Sequence, residues 1–330
     1  MHQQSISRSR SQTYWKIASQ RCQLINCKAA AMIAKALGGF KAGSERFCVA
    51  TPGSDGRLEK GTASQLDAVI YHDGLDKKSL RSLAFILSDV LNEERCPILS
   101  GEVVEDKNIR EGSMIYFNRN PRMVFPSRVL DSFLLYGDES VLAMAKRKML
   151  DELEGREGKR ALTEIGNRKQ KARRLMQSGQ QSWRGEMLTH FDLDTGIAYY
   201  KTVEAGGSQA HLRGFKHGPL RYVQIAMEQA VVSMARVLMG QGKKDDANSV
   251  IAEVPTPTVA KIEFISRHGK SKLGAAEVAD LTDCYLAFLQ LHHQSEELSK
   301  EGITELNFDV AEAKDRADAI HRVLGGGIVR

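Results

Sequence analysis

Two short apolar runs bracketing a Gly-Ser turn constrain this chain more than any other feature. RFCVATP at residues 46–52 is compact, β-prone and closed by Pro52 and Gly53, so it predicts a buried strand that runs straight into a turn. After the polar stretch GSDGRLEKGTASQ, residues Leu66–Tyr71 predict a second strand, with positions 65, 67 and 69 on one face and 66, 68 and 70 on the other. Strands this short and close together need helices to cover them, and the neighbouring sequence is helical in period.

Tyr14–Leu37 is Ala-rich and helical in spacing, with Gly38-Gly39 as its stop. Ser79 is positioned to cap a helix carrying Leu80, Leu83, Leu87 and Val90, which Cys96-Pro97 would end. SMIYFN at 113–118 predicts a third strand. Further on, YVQIAMEQAVVSMARVLMG at 222–240 is apolar nearly all round and closed by Gly240, as the central helix of a second core would be. Beyond the loop marked by Pro255 and Pro257, Val278, Leu281, Tyr285, Phe288 and His292 recur at helical spacing.

The expected fold is therefore α+β: a flexible tail at 1–12, a small α/β domain with a mixed sheet at 13–145, a charged helical linker at 146–185, and a C-terminal helical bundle at 186–330. A chain of 330 residues is long enough for two such cores. Its five cysteines (Cys22, Cys27, Cys48, Cys96, Cys284) are odd in number and lack paired spacing, which argues against a disulfide framework and a zinc site. No apolar run reaches membrane-spanning length and the N-terminus lacks a signal-peptide pattern, so a cytoplasmic protein with no membrane partner is expected. The net charge of +6 suits a polyanionic partner such as a nucleoside triphosphate. RKQKARR at 168–174 reads first as a solvated helix face, with RNA contact as the weaker alternative.

The stretch between the first two strands has the residue types that nucleotide transfer requires. Gly53 allows close backbone approach to phosphate, Ser54 adds a hydroxyl donor, and Arg57 has the bidentate geometry for phosphate; Asp67, opening the second strand, is a candidate metal ligand. Each residue also has a plain structural reading: Arg57 can pair with Glu59 or Asp55, while Lys216 and Arg221 can simply tie the two halves together.

The whole string GSDGRLEKGTASQLDAVIYHD resembles the signature of the polymerase-β-type nucleotidyltransferases, in particular the branch of bacterial protein-PII uridylyltransferases and related nucleotidyltransferase-like proteins. Gly53, Ser54, Gly56, Arg57, Glu59, Ser64 and Asp67 match at the family's spacing, and Gln65 stands where the first metal-binding Asp is expected. SRVLDSFLLYGDESVL at 127–142 is similar to a later family segment through Asp131, Gly137 and Asp138, with Phe133 in place of an Arg. FKHGPLRYVQ at 215–224 is similar to the element opening the family's helical domain through Lys216, Gly218, Leu220 and Arg221, with Tyr222 in place of an Asp. LTDCYLAFLQLHH at 281–293 is similar to a later helix of that domain.

The resemblance implies a nucleoside triphosphate bound with Mg2+ or Mn2+. It implies Gly53, Ser54, Gly56, Arg57, Ser64, Lys216 and Arg221 on the nucleotide, Asp67 on the metal, and Asp67, Gln65 and Arg57 in any transfer of UMP or AMP to a protein hydroxyl. HD, ACT and CBS modules are not expected. Because Gln65 removes one negative charge from the metal site, two readings stay open: a working transferase, or a degenerate nucleotidyltransferase-like module that binds and regulates.

Overall fold

The computed structural model describes residues 2–40, 46–61, 66–91, 101–103, 121–182, 186–191, 198–202, 215–268, 271–300, 308 and 310–325. The protein is α+β and mostly helical. Helix α1 (His2–Leu37) is followed by strand β1 (Arg46–Thr51), a single helical turn α2 (Gly53–Gly56), strand β2 (Leu66–Asp73) and helix α3 (Lys77–Leu91). The short β3 (Gly101–Val103), α4 (Pro121–Leu130), β4 (Phe133–Gly137), α5 (Glu139–Leu153) and α6 (Gly155–Ser182) come next. A hairpin of β5 (Glu186–Phe191) and β6 (Ala198–Thr202) precedes the π-helical turn α7 (Lys216–Leu220), which runs into α8 (Arg221–Gly240). The chain finishes with α9 (Lys244–Glu253), α10 (Thr258–Arg267), α11 (Ala275–Lys300) and α12 (Val310–Gly325).

The main sheet has the order β3-β2-β1-β4, with β1 antiparallel to both β2 and β4 and β3 parallel to β2. Strand alternation sorts its side chains between two cores. Val49, Leu66, Ala68, Ile70 and Leu135 pack with Ile25, Ala29 and Ile33 of α1 and Leu80, Leu83 and Leu87 of α3. Cys48, Ala50, Val69 and Tyr71, on the opposite face, join a larger core built from α5, α6, α8, α10 and α11. The sheet is thus a partition, and its second face is continuous with the helical part.

Several elements differ from the sequence reading. Residues 2–12, expected as a frayed tail, continue α1 as helix. The cap of α3 is Asp76, whose carboxylate accepts from the Ser79 backbone N–H at 2.6 Å, so Ser79 occupies the third helical position instead. β4 was not anticipated. It lies within residues 127–142, read above as similar to a family segment, and Asp138 at its end caps α5 by accepting from Ser140 N–H at 2.8 Å. The segment expected as a charged linker buries Ile165, Ala172 and Met176 of α6 against α8. The strand expected at 113–118 and the stop at Cys96-Pro97 lie outside the described residues. No described helix is long and apolar enough to cross a membrane.

Candidate functional site: the turn after β1 and its clasp

Polypeptide leaving β1 winds tightly because glycine permits it. Gly53 has φ of 69°, and its carbonyl accepts from Arg57 N–H at 2.9 Å, while the Ser54 carbonyl accepts from Glu59 N–H at 2.7 Å. Leu58 also takes a left-handed φ of 59°, which turns the chain so that Arg57 and Glu59 both enter the interior. Gly56 packs so closely that a Cβ there would overlap the backbone carbonyls of Asp131 and Thr51. Its lack of a side chain is required by packing, whatever it contributes to a ligand.

Arg57 and Glu59 are the centre of a buried ionic network. Arg57 Nε donates to Glu59 Oε2 at 2.7 Å and its Nη1 donates to Asp131 Oδ2 at 2.6 Å. Asp131 Oδ1 accepts from the Lys261 ammonium of α10. Glu59 also accepts from the Thr258 backbone N–H at 2.9 Å, from the Tyr285 hydroxyl at 2.7 Å and from Gln224 Nε2 at 3.2 Å. One carboxylate thus joins the turn to α8, α10 and α11. Burial raises the cost of ionising Asp131, but the Lys261 and Arg57 cations outweigh it and hold the carboxyl below the usual carboxylate range. Burial, reinforced by the Glu59 charge, pushes the Tyr285 hydroxyl well above its ordinary value.

The same turn is gripped from the other side by α1. Asn26 Nδ2 donates to the Asp55 carbonyl at 3.2 Å, Arg21 Nη2 donates to the Lys60 carbonyl at 3.3 Å, and Lys60 pairs with Asp55 at 2.9 Å in full burial. His293 Nε2 lies 2.8 Å from the Glu59 carbonyl and its Nδ1 lies 2.6 Å from the Tyr14 hydroxyl. A carbonyl can only accept, so the imidazole carries its proton on Nε2 and Tyr14 donates to Nδ1. Burial pushes this imidazole down to about 4.

The predicted residues fall into separate groups. Gly53, Ser54, Gly56 and Arg57 share the turn, and Arg57 has both carboxylate partners of the structural reading's kind: Glu59, as expected, and Asp131. Lys216 acts with His292 and His293 on Glu296, beside Gly61, where a Cβ would meet the Glu296 carboxylate. Arg221 lies instead near Arg57 and Arg168. Arg221 is half-buried, and burial together with those two cations, opposed by the smaller pull of Glu228 and Asp131, lowers its guanidinium to about 10. Among the described residues no carboxylate forms an ion pair with it. Arg168, from the basic run on α6, is 3.6 Å from buried Glu228, and Lys169 reaches the Leu324 carbonyl at 3.3 Å, so part of that run is used in packing. Ser64 and Gln65 lie outside the described residues. Asp67 is described by its backbone alone: it stands in β2, in register with Glu102 of β3.

Sequence reasoning missed the partners on α8, α10 and α11. Gln224, Thr258, Lys261, Tyr285 and His293 carry no local signal of their role, although Gln224, Tyr285 and His293 lie within the later segments of the resemblance. Comparison with family models and with curated proteins finds no match for this chain.

Proposed function

We propose that this is a nucleotidyltransferase-like protein that binds the phosphates of a nucleoside triphosphate beside Arg221, with Mg2+ or Mn2+. The observation that carries the reading is the surplus of positive charge there. Arg57 and Lys261 are balanced by Glu59 and Asp131, and Arg168 by Glu228, which leaves Arg221, among the described residues, as a half-buried cation with no ion-pair partner of its own. A polyanion placed against it would recover the cost of its burial. For the metal, Asp67 of β2 is the expected ligand, with neutral Gln65 contributing less charge than the carboxylate it replaces. A metal held there would offset triphosphate charge and polarise a phosphoryl oxygen.

A second reading, a binding or regulatory module without transferase activity, is favoured by the state of Arg57. Both of its bonded faces are occupied by carboxylates that also organise three helices, so it is engaged in holding the fold and not open to a transferring phosphate. Titration of the four nucleoside triphosphates with and without Mg2+, on wild type and Arg221→Met, tests the binding common to both readings. Metal-enhanced binding that weakens about tenfold or more in Arg221→Met, roughly 1.4 kcal/mol, is expected. Binding that is indifferent to Arg221 overturns the proposal. Mass spectrometry of the protein and candidate acceptors after incubation with nucleotide and metal then separates the readings. Addition of a nucleoside monophosphate by wild type that is lost in Asp67→Ala identifies a transferase. Addition only by Gln65→Asp identifies a disarmed one.

A further inference from the structure

Helix α1 is apolar on two sides, and among the described residues only one of them packs against the rest of the fold. Ala18, Cys22, Ile25, Ala29, Ile33 and Leu37 are buried toward the protein. On the outward side Ile17, Gln20, Leu24, Cys27, Ala31 and Ala34 are all exposed, Ile17 and Leu24 by 62% and 57%. Those six positions alternate in steps of three and four, the spacing of a coiled-coil seam, and successive large side chains stand about 10.5 Å apart along the axis. Such a stripe is as wide as a helix–helix contact and lacks the broad apolar face that sinks a helix into a lipid interface.

The charges beside the seam are of one sign. Arg21, Lys28 and Lys35 recur every seven residues on one flank, Lys16 stands on the other, and α1 contains no Asp or Glu along its whole length. Arg21 is partly committed to the Lys60 carbonyl and to Glu297 at 3.9 Å, whereas Lys28 and Lys35 are exposed. A second copy of α1 is a poor occupant. A parallel pair would set Lys16 against Arg21, and an antiparallel pair would set the Arg21, Lys28 and Lys35 flank against itself. From this charge pattern we infer that the outer face of α1 docks an acidic amphipathic helix of a protein partner, with apolar residues in the Ile17–Leu24 seam and carboxylates against Lys28 and Lys35.

Calorimetric titration of the full chain with three synthetic probes tests this. The first is a three-heptad peptide with Ile and Leu at the seam positions and Glu on both flanks, the second its Lys-flanked counterpart, and the third vesicles of phosphatidylserine and phosphatidylcholine. Saturable binding of the Glu-flanked peptide is expected, weakened by about tenfold or more in the Lys28→Glu/Lys35→Glu variant, which should in turn bind the Lys-flanked peptide. Both substituted side chains are exposed, and circular dichroism verifies the fold. Equal binding of the two peptides, binding of neither, binding to vesicles alone, or an unaltered preference in the variant would each overturn the assignment.

Discussion

Replacing Glu59 by Gln preserves shape and removes only charge and acceptor capacity, so it isolates what the clasp contributes. The carboxylate of Glu59 is surrounded by four donors: Arg57 Nε, Gln224 Nε2 and the Tyr285 hydroxyl on Oε2, and the Thr258 N–H on Oε1. An amide must point its NH2 at one of these two groups, and in either orientation a donor then faces a donor. Arg57 would keep Asp131, but Asp131 is shared with Lys261, so two buried cations would have one carboxylate between them. Removing one member of a buried ionic network costs about 3–5 kcal/mol. At about 2 °C per kcal/mol for a chain of this size, Tm should fall by about 6–10 °C. Urea denaturation followed by far-UV circular dichroism measures the loss directly, with Tyr285→Phe as a milder control that deletes one of the four donors and costs about 1 kcal/mol. A loss under about 1 kcal/mol for Glu59→Gln would refute the reasoning, because it would mean that the carboxylate is dispensable where the structure makes it the common partner of three helices.

His293 is held neutral by burial between Tyr14 and the Glu59 carbonyl, near His292, Glu296 and Arg21, with its imidazole lowered to about 4. The unfolded imidazole, near 6.5, therefore binds protons first as pH falls, and stability should drop by about 2 kcal/mol between pH 7 and pH 5 from this group. His293→Gln should flatten that slope in urea midpoints recorded at both pH values. For Asp131 the depressed carboxyl places its contribution fully above the unfolded carboxylate range, with loss only as pH falls below it; Asp131→Asn should accordingly be destabilised at pH 7 and converge on wild type in acid. Gly56→Ala forces a methyl onto the Asp131 and Thr51 carbonyls and should cost about 3 kcal/mol by thermal or urea unfolding. Arg221→Met should stabilise the protein in the absence of nucleotide, by on the order of 1–3 kcal/mol in urea unfolding, since it removes a half-buried cation that lacks an ion-pair partner among the described residues.

Much of the architecture was legible because short-range patterns carry it. The apolar run at 46–51 and the alternation from Leu66 onward are strands β1 and β2, and the helical spacing in 222–240 and around Tyr285 and Phe288 lies in α8 and α11. Periodicity of this kind reports which face of an element must leave water, and Leu66, Ala68 and Ile70 do share a core distinct from that of Val69 and Tyr71. Patterns failed where the tertiary environment overrode the local signal. β4 is a five-residue segment whose pairing with β1 is interrupted by a register shift between Val49 and Ala50, so its alternation is blurred. The cap of α3 fell to Asp76 because two residues near one helix start can both accept a backbone N–H, and the geometry of the entering chain selects between them.

The site divides in the same way. The amino-acid sequence by itself determined that a Gly-Ser turn sits between two strands, that glycines there allow a tight path, and that Gln65 brings no charge where Asp67 does. It also left Arg57 with two meanings, since a guanidinium suits phosphate and carboxylate equally well. Only the tertiary structure decided which groups Arg57 meets: Asp131 comes from 74 residues away and Tyr285, which shares Glu59 with it, from beyond α10. Long-range pairing of buried charges leaves no periodic trace in a sequence, because its stabilisation depends on distance and desolvation in the folded state and not on spacing along the chain.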